Sequence, residues 1–167
     1  FVDSFVVHEG ETPLLKLVEH LRGDGDLSKV PNLIYRQDGE VKVNRPFAKE
    51  ELNALPTPDF DGLPLDLYLA PDRVLPVMGS RGCYWEKCAF CSIPFDHMTF
   101  HVRYAENVVN DFKNLQEKYN CNNFFFTDEA LPINFLRTFA AKIIEQKVDV
   151  QWTGELKFEK SLLKDDR

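Results

Sequence analysis

The stretch VLPVMGSRGCYWEKCAFC, residues 74–91, decides the fold and contains three of the four cysteines of the chain. Its first five residues are apolar and long enough for one short β-strand, and a loop with Gly79 and Gly82 follows at once. Cys83, Cys88 and Cys91 stand in that loop with the spacing C-x4-C-x2-C. Three thiols so close together can converge on one bound object.

Helix and strand patterns alternate after the loop. Ala105 to Tyr119 is predicted to be a helix, Asn123 to Thr127 a buried strand, and Val148 to Thr153 a third strand. Between these strands Pro132 begins another helix. Its predicted inward side chains are Ile133, Leu136, Ala140, Ile143 and Ile144. Strands joined through helices pair in parallel, so we expect an α/β fold, a partial (β/α) TIM-like barrel formed by the first three β/α units.

The part before residue 74 has a different pattern. Thr12 as N-cap and Pro13 predict a helix that Gly23 ends, and Asp38-Gly39 predicts a β-hairpin. Five of the ten prolines lie between residues 56 and 76. We therefore expect an α+β segment over 1–55, a linker rich in proline and aspartate over 56–73, and the α/β unit over 74–167.

Charge and hydropathy exclude several classes of partner. The chain has 20 basic and 27 acidic side chains, and residues 1–72 hold 14 acidic and 7 basic groups, so the whole charge of −7 arises there. An acidic protein is unsuited to neutralising phosphates, and we expect no nucleic-acid partner. No apolar run approaches the roughly 20 residues that span a bilayer, and no secretory signal follows Phe1. We expect a cytoplasmic protein with no membrane partner.

Three chemistries compete for the cysteine loop. A structural zinc site requires four ligands and usually two C-x2-C pairs, of which the chain has one. Cys121 precedes the second strand and is expected at the opposite edge of the sheet, about 15 Å away, which leaves His97 and His101 as nearer fourth ligands. A disulfide or thiol redox device gives the third thiol no role. An iron–sulfur cluster with three thiolates leaves one iron open for chemistry.

The run Cys88-Ala89-Phe90-Cys91 resembles the second half of the C-x3-C-x-φ-C signature of radical S-adenosylmethionine enzymes, in which φ is aromatic. One extra residue separates Cys83 from Cys88, as in the C-Y-W-x-K-C form of a subset of that family. The resemblance implies that Cys83, Cys88 and Cys91 hold a [4Fe-4S] cluster whose open iron binds S-adenosylmethionine. It also implies a 5′-deoxyadenosyl radical, a small-molecule substrate, and a reductant such as flavodoxin or ferredoxin.

The same resemblance implies further cofactor-binding residues. Phe90 would pack against the adenine, with Tyr84 and Trp85 packing the long loop onto the barrel. Asp128 and Glu129 end the second strand and resemble the segment that meets the amino group of S-adenosylmethionine. Glu155 belongs to WTGELK, residues 152–157, which resembles a W-x-x-E-x-R pattern near the ribose and carboxylate, with lysine replacing arginine. From the residues alone, such acidic groups equally fit a solvated loop.

Residues 1–11, together with the helix, hairpin and linker, resemble the tail of a cobalamin-binding domain, although His8 stands where a glycine is expected. The cobalamin-ligating D-x-H-x-x-G stretch is absent from the chain, so cobalamin would bind through an upstream domain. With three strands, and residues 161–167 as the start of a further helix, we expect a fragment that is inactive alone. The alternative is a non-catalytic module in which the three-cysteine loop binds zinc for structure or interaction.

Overall fold

The computed structural model describes residues 2–93, 99–160 and 162. Within these, residues 2–51 form one compact unit and the residues from Leu52 onward form a second. The segment expected as a linker, 56–73, therefore lies in the second unit, while the domain boundaries at 55 and 73 stay predictions for the whole protein. His97 and most of the helix predicted over 161–167 lie outside the described residues.

The first unit is a three-stranded antiparallel sheet with one α-helix and a short 3-10 helix, Leu27–Lys29. Its elements are β1 (Ser4–Val6), α1 (Glu11–Leu21), β2 (Leu33–Gln37) and β3 (Glu40–Val43), and the strand order is β1-β2-β3. The predicted hairpin is confirmed, because Asp38 and Gly39 take φ angles of 52° and 83° between β2 and β3. Positive φ at both central residues is what a tight type I′ turn requires.

The start of helix α1 differs from the prediction. Its N-cap is Gly10 rather than Thr12, and the helix begins at Glu11. The carboxylate of Glu50 accepts hydrogen bonds from the backbone N–H and the hydroxyl of Thr12, both at 2.7 Å. A side chain 38 residues away thus satisfies a first-turn N–H group that a local cap would otherwise satisfy.

The second unit is a mixed α/β structure around a parallel sheet. Its elements are β4 (Val74–Val77), β5 (Ser80–Arg81), β6 (His101–Val102), α2 (Ala105–Tyr119), β7 (Asn123–Phe126), α3 (Ile133–Glu145) and β8 (Gln151–Thr153). The parallel strands stand in the order β4-β7-β8, and Val74, Asn123 and Gln151 share one register position. The predicted α/β fold with parallel pairing is confirmed, and its closure into a partial barrel stays a prediction.

Helices α2 and α3 pack on one face of this sheet through aromatic side chains. The rings of Phe112 and Phe124 stack at 4.3 Å, and Phe126 meets Phe139 edge-on at 5.3 Å, all four being fully buried. The predicted burial of Ile144 is wrong, since its side chain is 76% exposed. The buried face of α3 is formed by Phe139 and by Phe135, one turn earlier. Each residue along a helix rotates the side chain by about 100°, and this rotation carries Ile144 away from that face. No helix within the described ranges is long and apolar enough to cross a bilayer.

Candidate functional site

The carboxyl ends of three parallel strands meet at one edge of the sheet. The cysteine loop leaves β4 there, Asp128 and Glu129 follow β7, and Glu155 follows β8. This common edge is where ligands bind in open α/β sheets. The structure thus brings the sequence-predicted groups to one side of the second unit.

A short antiparallel ribbon closes the base of the cysteine loop. Ser80 in β5 pairs with Val102 in β6, and Arg81 pairs with His101. Just beyond the ribbon, the backbone N–H of Arg103 donates to the carbonyl oxygen of Gly79 at 2.8 Å. Strands of two residues have no periodicity, so sequence patterns could not predict this ribbon.

Asp128 fastens the end of β4 to the end of β7. One carboxylate oxygen accepts the Gly79 N–H at 3.0 Å, and the other accepts the Ser80 hydroxyl at 2.5 Å. The side chain is only 3% exposed. Burial raises the pKa of Asp128, and the hydrogen bonds from Gly79 and Ser80 oppose that rise. Both oxygens are therefore bonded to the protein's own donors, and the predicted contact of Asp128 with a ligand stays a prediction.

Gly79 is required by close packing. A Cβ at this position would lie 2.7 Å from Cζ of Phe135 and 3.3 Å from Cε1 of Phe126. Its N–H group binds Asp128 and its carbonyl binds Arg103, so both backbone polar groups of this residue are engaged. The cysteine loop therefore begins from a tightly held position.

Arg103 is a functional candidate that sequence reasoning missed. Its guanidinium forms a buried ion pair with Asp111 at 2.6 Å and donates to the Met78 carbonyl at 3.2 Å. The Thr57 hydroxyl donates to the other oxygen of Asp111 at 2.7 Å. The buried Nε of Arg103 has no hydrogen-bond partner among the described atoms. Nothing in the sequence distinguishes this buried arginine from an exposed arginine that precedes a helix.

The cysteine loop presents three reduced thiols. Cys83 and Cys91 are half-buried and Cys88 is exposed, and none of them forms a disulfide. Gly82 and Glu86 take φ angles of 81° and 49°, which bend the backbone around the thiols. Across the part of the chain that the structure describes, no three metal-binding side chains are gathered closely enough to hold an ion.

The set of donors nevertheless fits an iron–sulfur cluster, which needs three thiolates, whereas a closed zinc site needs a fourth ligand. His101 in β6 pairs with Arg81 beside the loop, and its role as that fourth ligand stays a prediction. Cys121 is buried at the opposite edge of the sheet, as predicted, where its thiol donates to the Arg73 carbonyl at 3.2 Å. A fourth thiolate for a closed zinc site is therefore not available from this cysteine. Three thiolates on one loop are the donors that cluster irons take.

The remaining predicted residues differ in exposure. Phe90 is 93% exposed, Glu155 is exposed and Glu129 is half-buried. The Leu131 N–H donates to the Glu155 carbonyl at 2.9 Å, which joins the ends of β7 and β8. The ligand roles of Phe90, Glu129 and Glu155 stay predictions.

Comparison with curated proteins finds a relative in sequence. No family model matches the chain. An uncharacterised methyltransferase of Pyrococcus horikoshii is 29% identical over 163 residues. The match covers 92% of this chain but only 34% of that relative, so the chain spans about a third of its length.

Solved structures agree on the fold. The cobalamin-dependent S-adenosylmethionine radical enzyme OxsB matches 95% of this chain with a TM-score of 0.70, at 20% identity and over 24% of its own length. The radical S-adenosylmethionine methyltransferase TsrM from Kitasatospora setae, solved with cobalamin and a [4Fe-4S] cluster, matches 87% with a TM-score of 0.67, at 18% identity and over 30% of its length. The chain shares the fold of the matched parts of these proteins.

Proposed function

We propose that this chain is the cluster-binding part of a radical S-adenosylmethionine enzyme. The observation that carries the proposal is the loop with Cys83, Cys88 and Cys91 at the carboxyl end of β4, on the fold shared with OxsB and TsrM. These thiolates would hold three irons of a [4Fe-4S] cluster and leave the fourth for S-adenosylmethionine. A reduced cluster bound there would supply one electron to S-adenosylmethionine, whose S–C5′ bond would break to give methionine and a 5′-deoxyadenosyl radical.

The residues around the loop have separate roles in this proposal. Asp128 and Arg103 fix the base of the loop, so that Cys83 starts from a defined position. The exposed ring of Phe90 can stack on an adenine, and the carboxylates of Glu129 and Glu155 can accept hydrogen bonds from ammonium and hydroxyl groups. Glu129 is half-buried whereas Asp128 is only 3% exposed, so Glu129 is the more accessible of the two to the amino group of S-adenosylmethionine.

Anaerobic reconstitution with iron and sulfide tests the proposal. The wild-type chain should bind iron and inorganic sulfide and show broad visible absorption that dithionite bleaches. Cys83→Ala should lose this absorption, whereas Cys121→Ala should keep it, because Cys121 lies at the opposite edge of the sheet. A colourless protein that binds one zinc tightly would overturn the proposal in favour of a structural zinc module.

For the whole protein we propose methyl transfer, since TsrM and the relative from Pyrococcus horikoshii are both called methyltransferases. Cobalamin would be held outside this chain, and a small-molecule substrate and a flavodoxin or ferredoxin as electron donor complete the proposal. Methyl transfer converts S-adenosylmethionine to S-adenosylhomocysteine, and cleavage to the radical yields 5′-deoxyadenosine, so a protein that does both should form both products. Chromatography of the nucleoside products of the reduced whole protein tests this. Formation of 5′-deoxyadenosine without S-adenosylhomocysteine would contradict methyl transfer.

A further inference from the structure

The segment after β8 reaches back to the cysteine loop through two side chains. The hydroxyl of Tyr84 donates to Oε1 of Glu159 at 3.0 Å, and the ammonium of Lys157 binds the same oxygen at 3.0 Å. That ammonium also lies 4.0 Å from the ring centroid of Trp85. Two consecutive residues of the loop are thereby bound to a segment more than 70 residues later. Tyr84, Trp85, Lys157 and Glu159 are called the clasp below.

The contacts of the clasp are partly shielded from water. Lys157, Glu159 and Tyr84 are half-buried, so their ion pair and hydrogen bond are less screened than fully exposed ones. A cation within about 6 Å of an aromatic centroid is attracted to the ring face, and a second ammonium, that of Lys87, lies 5.0 Å from Trp85.

The position of Lys157 changes what its resemblance implied. The resemblance implied that the W-x-x-E-x-R pattern, in which Lys157 replaces the arginine, lies near the ribose and carboxylate of S-adenosylmethionine. Here the ammonium of Lys157 is engaged by Glu159 and Trp85. The ammonium of a lysine is a compact charge, unlike the planar guanidinium of arginine. It can therefore contact the ring face of Trp85 and the carboxylate of Glu159 at the same time.

We propose that Lys157 and Glu159 are positioning residues that hold the cysteine loop at the carboxyl edge of the sheet before any metal binds. Tyr84 follows Cys83 directly, so a fixed Tyr84 hydroxyl restricts where the Cys83 thiol can lie. The ribbon of β5 and β6 holds the loop at its base, and the clasp holds it at Tyr84 and Trp85, three and four residues after Arg81. Ordering the loop in advance lowers the conformational entropy that must be lost when three thiolates gather on one cluster.

Hydrogen exchange on the metal-free chain tests the clasp without any assumption about the cluster. Glu159→Ala, which removes the acceptor shared by Tyr84 and Lys157, should speed exchange in peptides covering residues 82–93 about fivefold, as expected for loss of one net hydrogen bond. Peptides from helix α2 should be unchanged. Lys160→Ala, which removes a charge from the same segment, is the matched control and should leave the loop at the wild-type rate. Equal loop exchange in Glu159→Ala and the wild type would overturn the clasp.

A second measurement addresses positioning, which rests on the proposed function. After anaerobic reconstitution, a chelator should strip iron from Lys157→Met several-fold faster than from the wild type, and Lys157→Arg should restore the slow rate because a guanidinium also binds ring faces. Equal rates in wild type and Lys157→Met would overturn positioning while leaving the cluster intact. A wild-type chain that takes up no iron would instead refute the proposed function, and hydrogen exchange would still decide the clasp.

Discussion

Gly79→Ala is expected to destabilise the second unit by about 2 kcal/mol. The added methyl carbon would lie 2.7 Å from Cζ of Phe135, against a carbon–carbon contact distance of about 3.5–4.0 Å. The Phe135 ring must therefore move by about 1 Å. The Phe135 ring is buried, and its centroid lies 6.0 Å from that of Phe126 and 5.8 Å from that of Phe139. These neighbouring rings leave it little room to move. Extra methyl groups in a packed core typically cost about 1–3 kcal/mol.

Thermal and urea unfolding measure this effect. For a protein of about 150–250 residues, a loss of about 2 kcal/mol lowers Tm by about 4–8 °C. Phe135→Leu provides the control, because removing the ring leaves space for the methyl group, and Gly79→Ala in that background should cost less than half as much. An equal cost in both backgrounds would refute the packing argument, as would a single variant as stable as the wild type.

Three other perturbations test further parts of the structure. Arg103→Met should destabilise the chain by about 3–5 kcal/mol in urea unfolding, because it leaves the Asp111 carboxylate buried and unpaired; a loss below about 1 kcal/mol would contradict the buried pair. Burial raises the folded-state pKa of Asp128, so the folded state favours the protonated carboxyl. The free energy of unfolding of the wild type, relative to that of Asp128→Asn, should therefore fall as the pH rises above about 4. A difference between the two proteins that is the same at acidic and neutral pH would contradict this sign. Glu50→Ala should cost about 1 kcal/mol by removing the acceptor for the Thr12 N–H, whereas Glu50→Gln, which keeps one acceptor oxygen, should cost less in the same assay.

Local periodicity predicted the second unit well. Helix α2 has the bounds that its apolar spacing indicates, and the three parallel strands occur where expected, each shortened at one end. Cys121 lies at the predicted edge, because strand direction alone decides which end of a parallel strand faces the loop. These features depend on residues within a few positions of one another, which a single sequence displays directly.

The attachments of the cysteine loop could not be predicted in the same way. Asp128 binds Gly79 and Ser80 from about 50 residues away, and Glu159 binds Tyr84 from 75 residues away. Arg103 was missed because its partner Asp111 is one of several acidic residues on a helix whose apolar stripe carries the pattern. Tertiary packing decides which polar groups meet across a fold, and the periodicity of a sequence carries no information about such distant pairs.

Burial separates two kinds of residue at the carboxyl edge of the sheet. Asp128, Gly79 and Arg103 are buried and bonded, whereas Phe90 and Cys88 are exposed. Changes to the buried group alter packing and unpaired charge, so they should lower both the free energy of unfolding and iron retention. Changes to the exposed group remove ligands or a stacking surface while leaving the core intact, so they should lower iron or S-adenosylmethionine binding at unchanged stability. Measuring both quantities on the same variants therefore separates support of the loop from direct contact with the cofactors, even before the substrate is identified.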